Sequence, residues 1–285
     1  MANVIEIRDL SKTYTGFKLD NLSLDLEEGT IVGLVGANGA GKSTTIKLIL
    51  NLIRRDSGTV RVFGRDNIIH ASEIKQEIGV VFDEPCFHSI LSPKHIARYM
   101  RSLYRDWDDD LFVSYLRRFE LPDNKKIKEY SRGMKMKLSI AAAMAHKPRL
   151  LILDEPTSGL DPLVRDEILD IFLEYLQNDR NSILLSSHIT SDLEKVADTV
   201  ALIDKGRLVF HQEKDVLIDG HLLVKGGKEL LSAVPNEELI GIRENRFGFE
   251  ALTKNKSLTR RFPELISERP NIEEIMLFYT RGNHQ

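Results

Sequence analysis

Gly36-Ala37-Asn38-Gly39-Ala40-Gly41-Lys42-Ser43 decides how this chain is read. The segment fits G-x-x-x-x-G-K-[ST], and the residue types carry the reason. Glycines let the backbone turn tightly and aim its N–H groups inward with no Cβ in the way. The stretch before the loop, Ile31-Val32-Gly33-Leu34-Val35, is a continuous apolar run suited to a strand buried on both faces. After it, Ile46, Ile49, Leu50 and Ile53 recur at helical spacing. A helix opening at the loop adds free N–H groups and the positive end of its dipole, so the site favours an anion. Lys42 reaches β- and γ-phosphates, and the Ser43 hydroxyl suits Mg²⁺. Strand, glycine turn and helix begin a parallel α/β sheet that binds a nucleoside triphosphate. The loop alone does not separate ATPase, GTPase and kinase.

Working outward, Val4, Ile5, Ile7 and then Leu22, Leu24, Leu26 alternate as half-buried strands, and Glu28-Gly29 is a turn. Gly79–Phe82, Leu150–Leu153, Ser182–Ser186 and Thr199–Ile203 read as further buried strands. Residues from about Pro93 to Lys147 read as helical, with a turn near Leu121–Asn124. Another helix covers about Val164–Leu176. The pattern changes after Val216. Residues 217–285 are predicted to form a small α+β appendage to a larger domain of residues 1–216. Asn245-Arg246 is its expected hairpin turn. Asn271, with Glu274 three residues on, caps a last helix. From Val216 onward the chain has ten basic and ten acidic residues.

Composition narrows the class. The chain has 285 residues, 42% hydrophobic and 29% charged, with a formal net charge of −3. That balance suits a globular protein with a real core and argues against a nucleic-acid coat. Cys86 is the single cysteine, so no intrachain disulfide forms. No apolar run approaches the ~18–20 residues of a membrane helix. The start, Met-Ala-Asn-Val-Ile-Glu, has no basic segment leading into an apolar one, so no signal peptide is expected.

A second constellation ends an apolar strand: Leu150-Leu151-Ile152-Leu153-Asp154-Glu155. Ligands of parallel sheets bind at the strands' C-terminal ends. Asp154 is suited to hold Mg²⁺ through water, and Glu155 to polarise the water that attacks the γ-phosphate. Without the glycine loop, the pair would read as a surface turn before Pro156.

Taken together, Gly36–Thr44, Ser131-Arg132-Gly133-Met134-Lys135, Leu150–Pro156, Ser158-Gly159-Leu160-Asp161 and Ser186-Ser187-His188 resemble the ATP-binding cassette (ABC) ATPases over about residues 3–215. The resemblance implies a P-loop NTPase with a RecA-like parallel core, an N-terminal antiparallel β layer and an inserted helical subdomain near 84–147. It implies ATP and Mg²⁺ at Gly36, Asn38, Gly39, Gly41, Lys42, Ser43 and Thr44, with Tyr14 stacking on adenine. Ser131 and Gly133 match the signature that contacts a γ-phosphate, Asp161 the loop coupling two sites, and His188 the histidine that contacts the γ-phosphate and the attacking water. Glu155, His188 and Lys42 are the catalytic candidates, and Ser43, Asp154 and Asp83 the metal candidates. Three positions depart from the family: Asp83 stands where Gln is usual in a coupling loop, Arg132 replaces a signature Gly, and Met134 replaces the signature's usual Gln. With Met134 and the Tyr104–Asp108 segment, the pattern resembles ATPase subunits of Gram-positive ABC exporters of peptides or other amphiphiles.

In that family two cassettes sandwich ATP between one glycine loop and the other's signature. The resemblance therefore implies a second ATPase subunit, identical or homologous, and a separate transmembrane permease. The expected docking groove lies around Asp83–Tyr99, with Phe87, Ile90 and Leu91, and the expected location is cytoplasmic, at the inner face of the membrane. The alternative is a soluble ABC-type ATPase acting on ribosomes or nucleic acid. Such relatives carry two cassettes or a long coiled coil, and this chain has neither. A GTPase is disfavoured because Asn124-Lys125 is followed by Lys126-Ile127 and not by x-Asp.

Overall fold

The computed structural model describes residues 2–84 and 87–281. Pro85 and Cys86, within the expected docking groove, lie outside the described residues. Contacts divide the chain into two compact units, Met1–Leu208 and Val209–Gln285.

The first unit opens with β1 (Asn3–Tyr14) and β2 (Phe17–Glu27), joined by a short turn, then β3 (Ile31–Val35) and α1 (Lys42–Ile49). It continues through β4 (Ser57–Val62), β5 (Arg65–Asp66), α2 (Ala71–Gln76) and β6 (Ile78–Val81). Three helices follow: α3 (Pro93–Leu103), α4 (Asp109–Arg118) and α5 (Arg132–Met144). The unit ends with β7 (Leu150–Asp154), α6 (Pro162–Tyr175), β8 (Ser182–Ser187), α7 (Thr190–Val196) and β9 (Thr199–Asp204). β10 (Arg207–Glu213) carries the chain into the second unit.

Two sheets and a helical layer build this unit. β2-β1-β4-β5 form an antiparallel sheet. β9-β3-β8-β7-β6 run parallel, in an order that requires crossovers. One core joins the two sheets: Ile5, Leu22, Leu24 and Val60 of the first pack with Val32, Leu34, Ile152 and Leu184 of the second. The alternating segments are thus the strands with one buried face, and the unbroken apolar runs are the central parallel strands. Helix α1 stops at Ile49, short of Ile53. Asn51 adopts φ 50°, a left-handed conformation that asparagine tolerates and that ends helices. The long helical stretch also breaks where Asp108 takes an extended conformation and accepts from Leu111 N to cap α4.

Parallel register decides where the chemistry meets. Val35 of β3 lies opposite Ser187 of β8. Asp154 of β7 lies opposite Ser186, and Val81 of β6 opposite Leu153. The loops after β3, β6, β7 and β8 therefore leave one edge of the sheet.

The second unit contains α8 (Lys214–Asp219), β11 (Leu222–Gly226), α9 (Lys228–Leu231), β12 (Ile240–Glu244), β13 (Phe249–Thr253), α10 (Leu258–Arg261), β14 (Ile266–Glu268) and α11 (Ile272–Arg281). Its antiparallel sheet has the order β12-β13-β11-β14. Val224, Val234, Phe249, Ala251, Leu258 and Leu265 form its own core. The Asn245 carboxamide accepts from Phe247 N and Gly248 N and shapes the hairpin turn. Asn271 and Glu274 exchange side-chain-to-backbone bonds of 2.8 and 2.9 Å at the start of α11, a reciprocal cap.

His146, after α5, is buried, stacks on Tyr104 at 3.9 Å and donates from Nε2 to the Ile78 carbonyl at 3.1 Å. Burial pushes its pKa down from 6.5 to about 4. The folded state therefore binds fewer protons than the unfolded chain as pH falls from about 6.5 towards 4, and stability is lost across that window. The expected loss is on the order of 2–3 kcal/mol. Urea denaturation between pH 7.5 and 4.5 is expected to show it in wild type, and His146→Phe to flatten the slope.

Candidate active site

The glycine loop is held by close backbone approach. Gly36 has φ 155°, and a Cβ there would come within 2.2 Å of the Ile203 carbonyl. The chain then turns through Gly39 and Gly41, both at positive φ, into α1. No side chain caps this helix. Helix geometry leaves the N–H groups of Lys42, Ser43 and Thr44 without i−4 carbonyls, while Thr45 N and Oγ1 both bond the Gly41 carbonyl. Ala37, Asn38 and Gly39 are exposed, and Ser43 and Thr44 partly so. The result is a ring of backbone donors at a helix start.

Lys42 is buried, and its Nζ donates to the Gly36 carbonyl at 2.7 Å. It also lies 3.3 Å from Glu155 Oε1. The other carboxylate oxygen, Glu155 Oε2, accepts from His188 N at 3.1 Å and from His188 Nδ1 at 2.6 Å. A carboxylate only accepts, so Nδ1 carries the imidazole proton in this pair. Lys42 at the start of α1, and Glu155 and His188 directly after β7 and β8, thus form one cluster. Glu155 has φ 54°, a strained conformation for a non-glycine residue that structures retain where function needs it. Its own N–H bonds the Ser186 carbonyl at 3.0 Å.

Asp154 is buried, and its Oδ1 accepts from Ser186 Oγ at 2.6 Å. Asp154 and Ser43 offer a carboxylate and a hydroxyl, the hard oxygen donors that Mg²⁺ prefers. Among the described residues no cluster of three or more His, Cys, Asp or Glu could hold a metal by itself. A Mg²⁺ completed by phosphate oxygens and water needs none, so the residues fit.

Tyr14 ends β1 and is 43% exposed, with Lys12 Nζ 5.6 Å from its ring centre. It pairs with Phe17 across the hairpin, and the Phe17 ring reaches within 3.1 Å of where a Gly41 Cβ would be. Phe17, its partner across the hairpin, is thus the ring that packs against the glycine loop. Ser131 caps α5, accepting from Met134 N at 3.2 Å, and Gly133 follows in its first turn. Asp161 caps α6, accepting from Val164 N at 3.1 Å. Among the described residues, no hydrogen bond or ion pair links Ser131 or Gly133 to the Lys42–Glu155–His188 cluster. Asp83 does not join that cluster either; its Oδ1 accepts from Arg132 Nη2 at 2.9 Å.

One buried network was not evident in the sequence. Asp192 of α7 is 1% exposed and accepts from Thr157 Oγ1 and Arg165 Nε, both at 2.6 Å. It ties the loop after Glu155 to the helix after His188. A carboxylate four residues beyond His188, next to the apolar Leu193, was the only available signal.

A glycine loop at a helix start, a strand-end carboxylate pair and a histidine on the second carboxylate define a P-loop ATPase, and the chain belongs to the ABC transporter family as an ATP-binding subunit. The ABC transporter family model matches residues 19–158. The ABC transporter ATP-binding protein YtrB of Bacillus subtilis is 32% identical, over 78% of this chain and 76% of its own length. The bacitracin transport ATP-binding protein BcrA of Bacillus licheniformis is 36% identical, over 73% and 69%. A solved ATP-binding subunit of an ABC transporter superposes with a TM-score of 0.69 at 28% identity, over 76% of this chain and 92% of that one.

Lys42→Ala removes the buried cation at the glycine loop and leaves Glu155 Oε1 without it. ATP affinity, measured by isothermal titration calorimetry, is expected to fall by about tenfold or more. Affinity equal to wild type would exclude Lys42 from the phosphate site.

Proposed function

We propose that this ATPase works as one of two cassettes that close around MgATP and drive a separate membrane-spanning permease, in the direction of export. The observation that carries this reading is a separation. The Lys42–Glu155–His188 cluster and the capped N-terminus at Ser131–Gly133 each suit a phosphate, yet among the described residues no hydrogen bond or ion pair joins them. A second cassette, identical or homologous, would bring its signature to the first cassette's loop.

In this reading the N–H groups at Gly39 and Gly41–Thr44, with Lys42, hold the β- and γ-phosphates, and Tyr14 stacks on adenine. Ser43 and Asp154 would hold Mg²⁺, which offsets the charge on the phosphate oxygens. Glu155 accepts a proton from the attacking water as its oxygen bonds the γ-phosphorus and the bond to ADP breaks. His188 donates through Nδ1 to Glu155 and fixes the carboxylate's direction. Ser131 and Gly133 meet the γ-phosphate of the opposite site, and Asp161 lies in the loop between the two sites. Loss of the γ-phosphate removes the shared ligand, and the pair separates.

The permease would dock at the groove around Asp83–Tyr99. Ile90 and Tyr99 are exposed there, at 61% and 62%. Nearby, Leu50, Leu52, Val80, Phe82 and Tyr104 line an apolar hollow of about 190 Å³. Among the described residues no helix is long and apolar enough to cross a membrane, so docking would hold the subunit at the inner membrane face. BcrA's name assigns that relative to bacitracin transport, which supports an amphiphilic peptide as cargo. Residues 217–285 then serve as an accessory to the ATPase domain of 1–216.

Glu155→Gln keeps the side chain's shape and removes its basicity. It is expected to retain ATP binding, lower turnover by about a hundredfold or more, and accumulate a dimer in saturating MgATP. Light scattering coupled to size exclusion reads the result. A variant that stays monomeric while fully loaded with ATP would overturn the sandwich.

A further inference from the structure

Two of the three departures from the ABC pattern, Asp83 and Arg132, meet. Arg132 is the first residue of α5, directly after its cap Ser131. Its Nη2 donates to Asp83 Oδ1 at 2.9 Å, across 49 residues of chain. The same guanidinium lies against Gly159. A Cβ at Gly159 would come 2.6 Å from Nη1 and 2.9 Å from Cζ of Arg132. Gly159 also has φ 66°, so a side chain there would be strained and would displace the guanidinium.

The charges account for the pairing. A cation at a helix N-terminus opposes the helix dipole, and the first turn of α5 has no acidic residue. Asp83 supplies the missing counter-charge from the loop after β6. The planar fork of arginine lets one group bond the carboxylate while its edge covers a backbone. Three segments thereby converge on Arg132: the loop after β6, the start of α5, and the loop running from Glu155 to the Asp161 cap. Ser131, Gly133, Gly159 and Asp161 line a hollow of about 270 Å³ at this junction. The two side chains are 52% and 47% exposed, and exposed pairs add little to global stability. The arrangement fits a part that sets geometry.

We propose that Arg132 and Asp83 are a positioning pair that holds Ser131 and Gly133 in register with the Glu155–Asp161 loop, so that breaking it slows ATP turnover while leaving ATP affinity and the fold intact. The inference rests on the cassette reading above. In it, a glutamine-to-aspartate change and a glycine-to-arginine change in distant motifs are one compensated change.

A charge-swap cycle on the full-length protein tests this: Asp83→Arg, Arg132→Asp, and both together, with Arg132→Lys as a milder variant. Steady-state ATPase gives kcat and KM, and thermal unfolding reports the fold. Each reversal is expected to lower kcat about fivefold or more, with KM within about twofold and melting unchanged. The swap is expected to recover most of kcat, and Arg132→Lys to fall between. Singles equal to wild type would overturn the proposal. So would a swap as slow as its slower single, or changes confined to KM or melting. If Asp83 acts on metal or water instead, Arg132→Asp keeps wild-type kcat and the swap fails to rescue, which also overturns it. Wild-type turnover and its loss in Glu155→Gln report separately on the underlying ATPase reading.

Discussion

The contact between buried Lys42 and Glu155, 3.3 Å apart, organises the rest of the molecule. Neither charge is tolerable in a poorly solvated setting without a partner. The pair can form only if the loops after β3 and β7 leave the sheet at the same level. That needs β8 between them in register, with Val35 opposite Ser187 and Asp154 opposite Ser186. The same alignment delivers His188 to Glu155. Crossover helices, the antiparallel layer and the shared core hold three strand ends level, and the charges meet there. Glu155 takes a left-handed backbone at that point, a local strain surrounded by its bonds and ion pair to Lys42, Ser158, Ser186 and His188.

Around this centre, the loop from Glu155 to Asp161 is restrained from two sides. Within the core, Thr157 bonds the buried Asp192, which Arg165 also grips. At the surface, Gly159 lies under the Arg132 guanidinium, whose other contact is Asp83. The first restraint lies inside a packed interior and resists change. The second is half exposed and can yield. The loop that follows Glu155 is thus held rigidly on one side and adjustably on the other.

Much of this was legible because it is local. The unbroken run Ile31–Val35 marks a central strand, and alternation at Leu22, Leu24 and Leu26 marks a strand with one buried face. The reciprocal cap at Asn271 and Glu274 was readable from spacing alone. Helix α1 proved shorter than its apolar period, since the left-handed Asn51 interrupts a pattern that hydrophobicity continues. The small strands β4, β5 and β14 escaped notice because their residues are short, mixed and stabilised by neighbours. By its place in the sequence Asp83 suits a metal or coupling residue, and its bond to Arg132, 49 positions on, is encoded in neither segment alone.

The sequence by itself determined the strand–loop–helix that receives phosphate, the carboxylates at the end of β7 and the family, because backbone geometry and residue chemistry within a few positions suffice for each. Only the tertiary structure decided that Glu155 sits between Lys42 and His188, that Asp192 anchors the following loop, and that Asp83 and Arg132 answer one another. Each of these joins residues dozens of positions apart. Their distance is set by sheet register and helix packing, which no single stretch of the chain encodes.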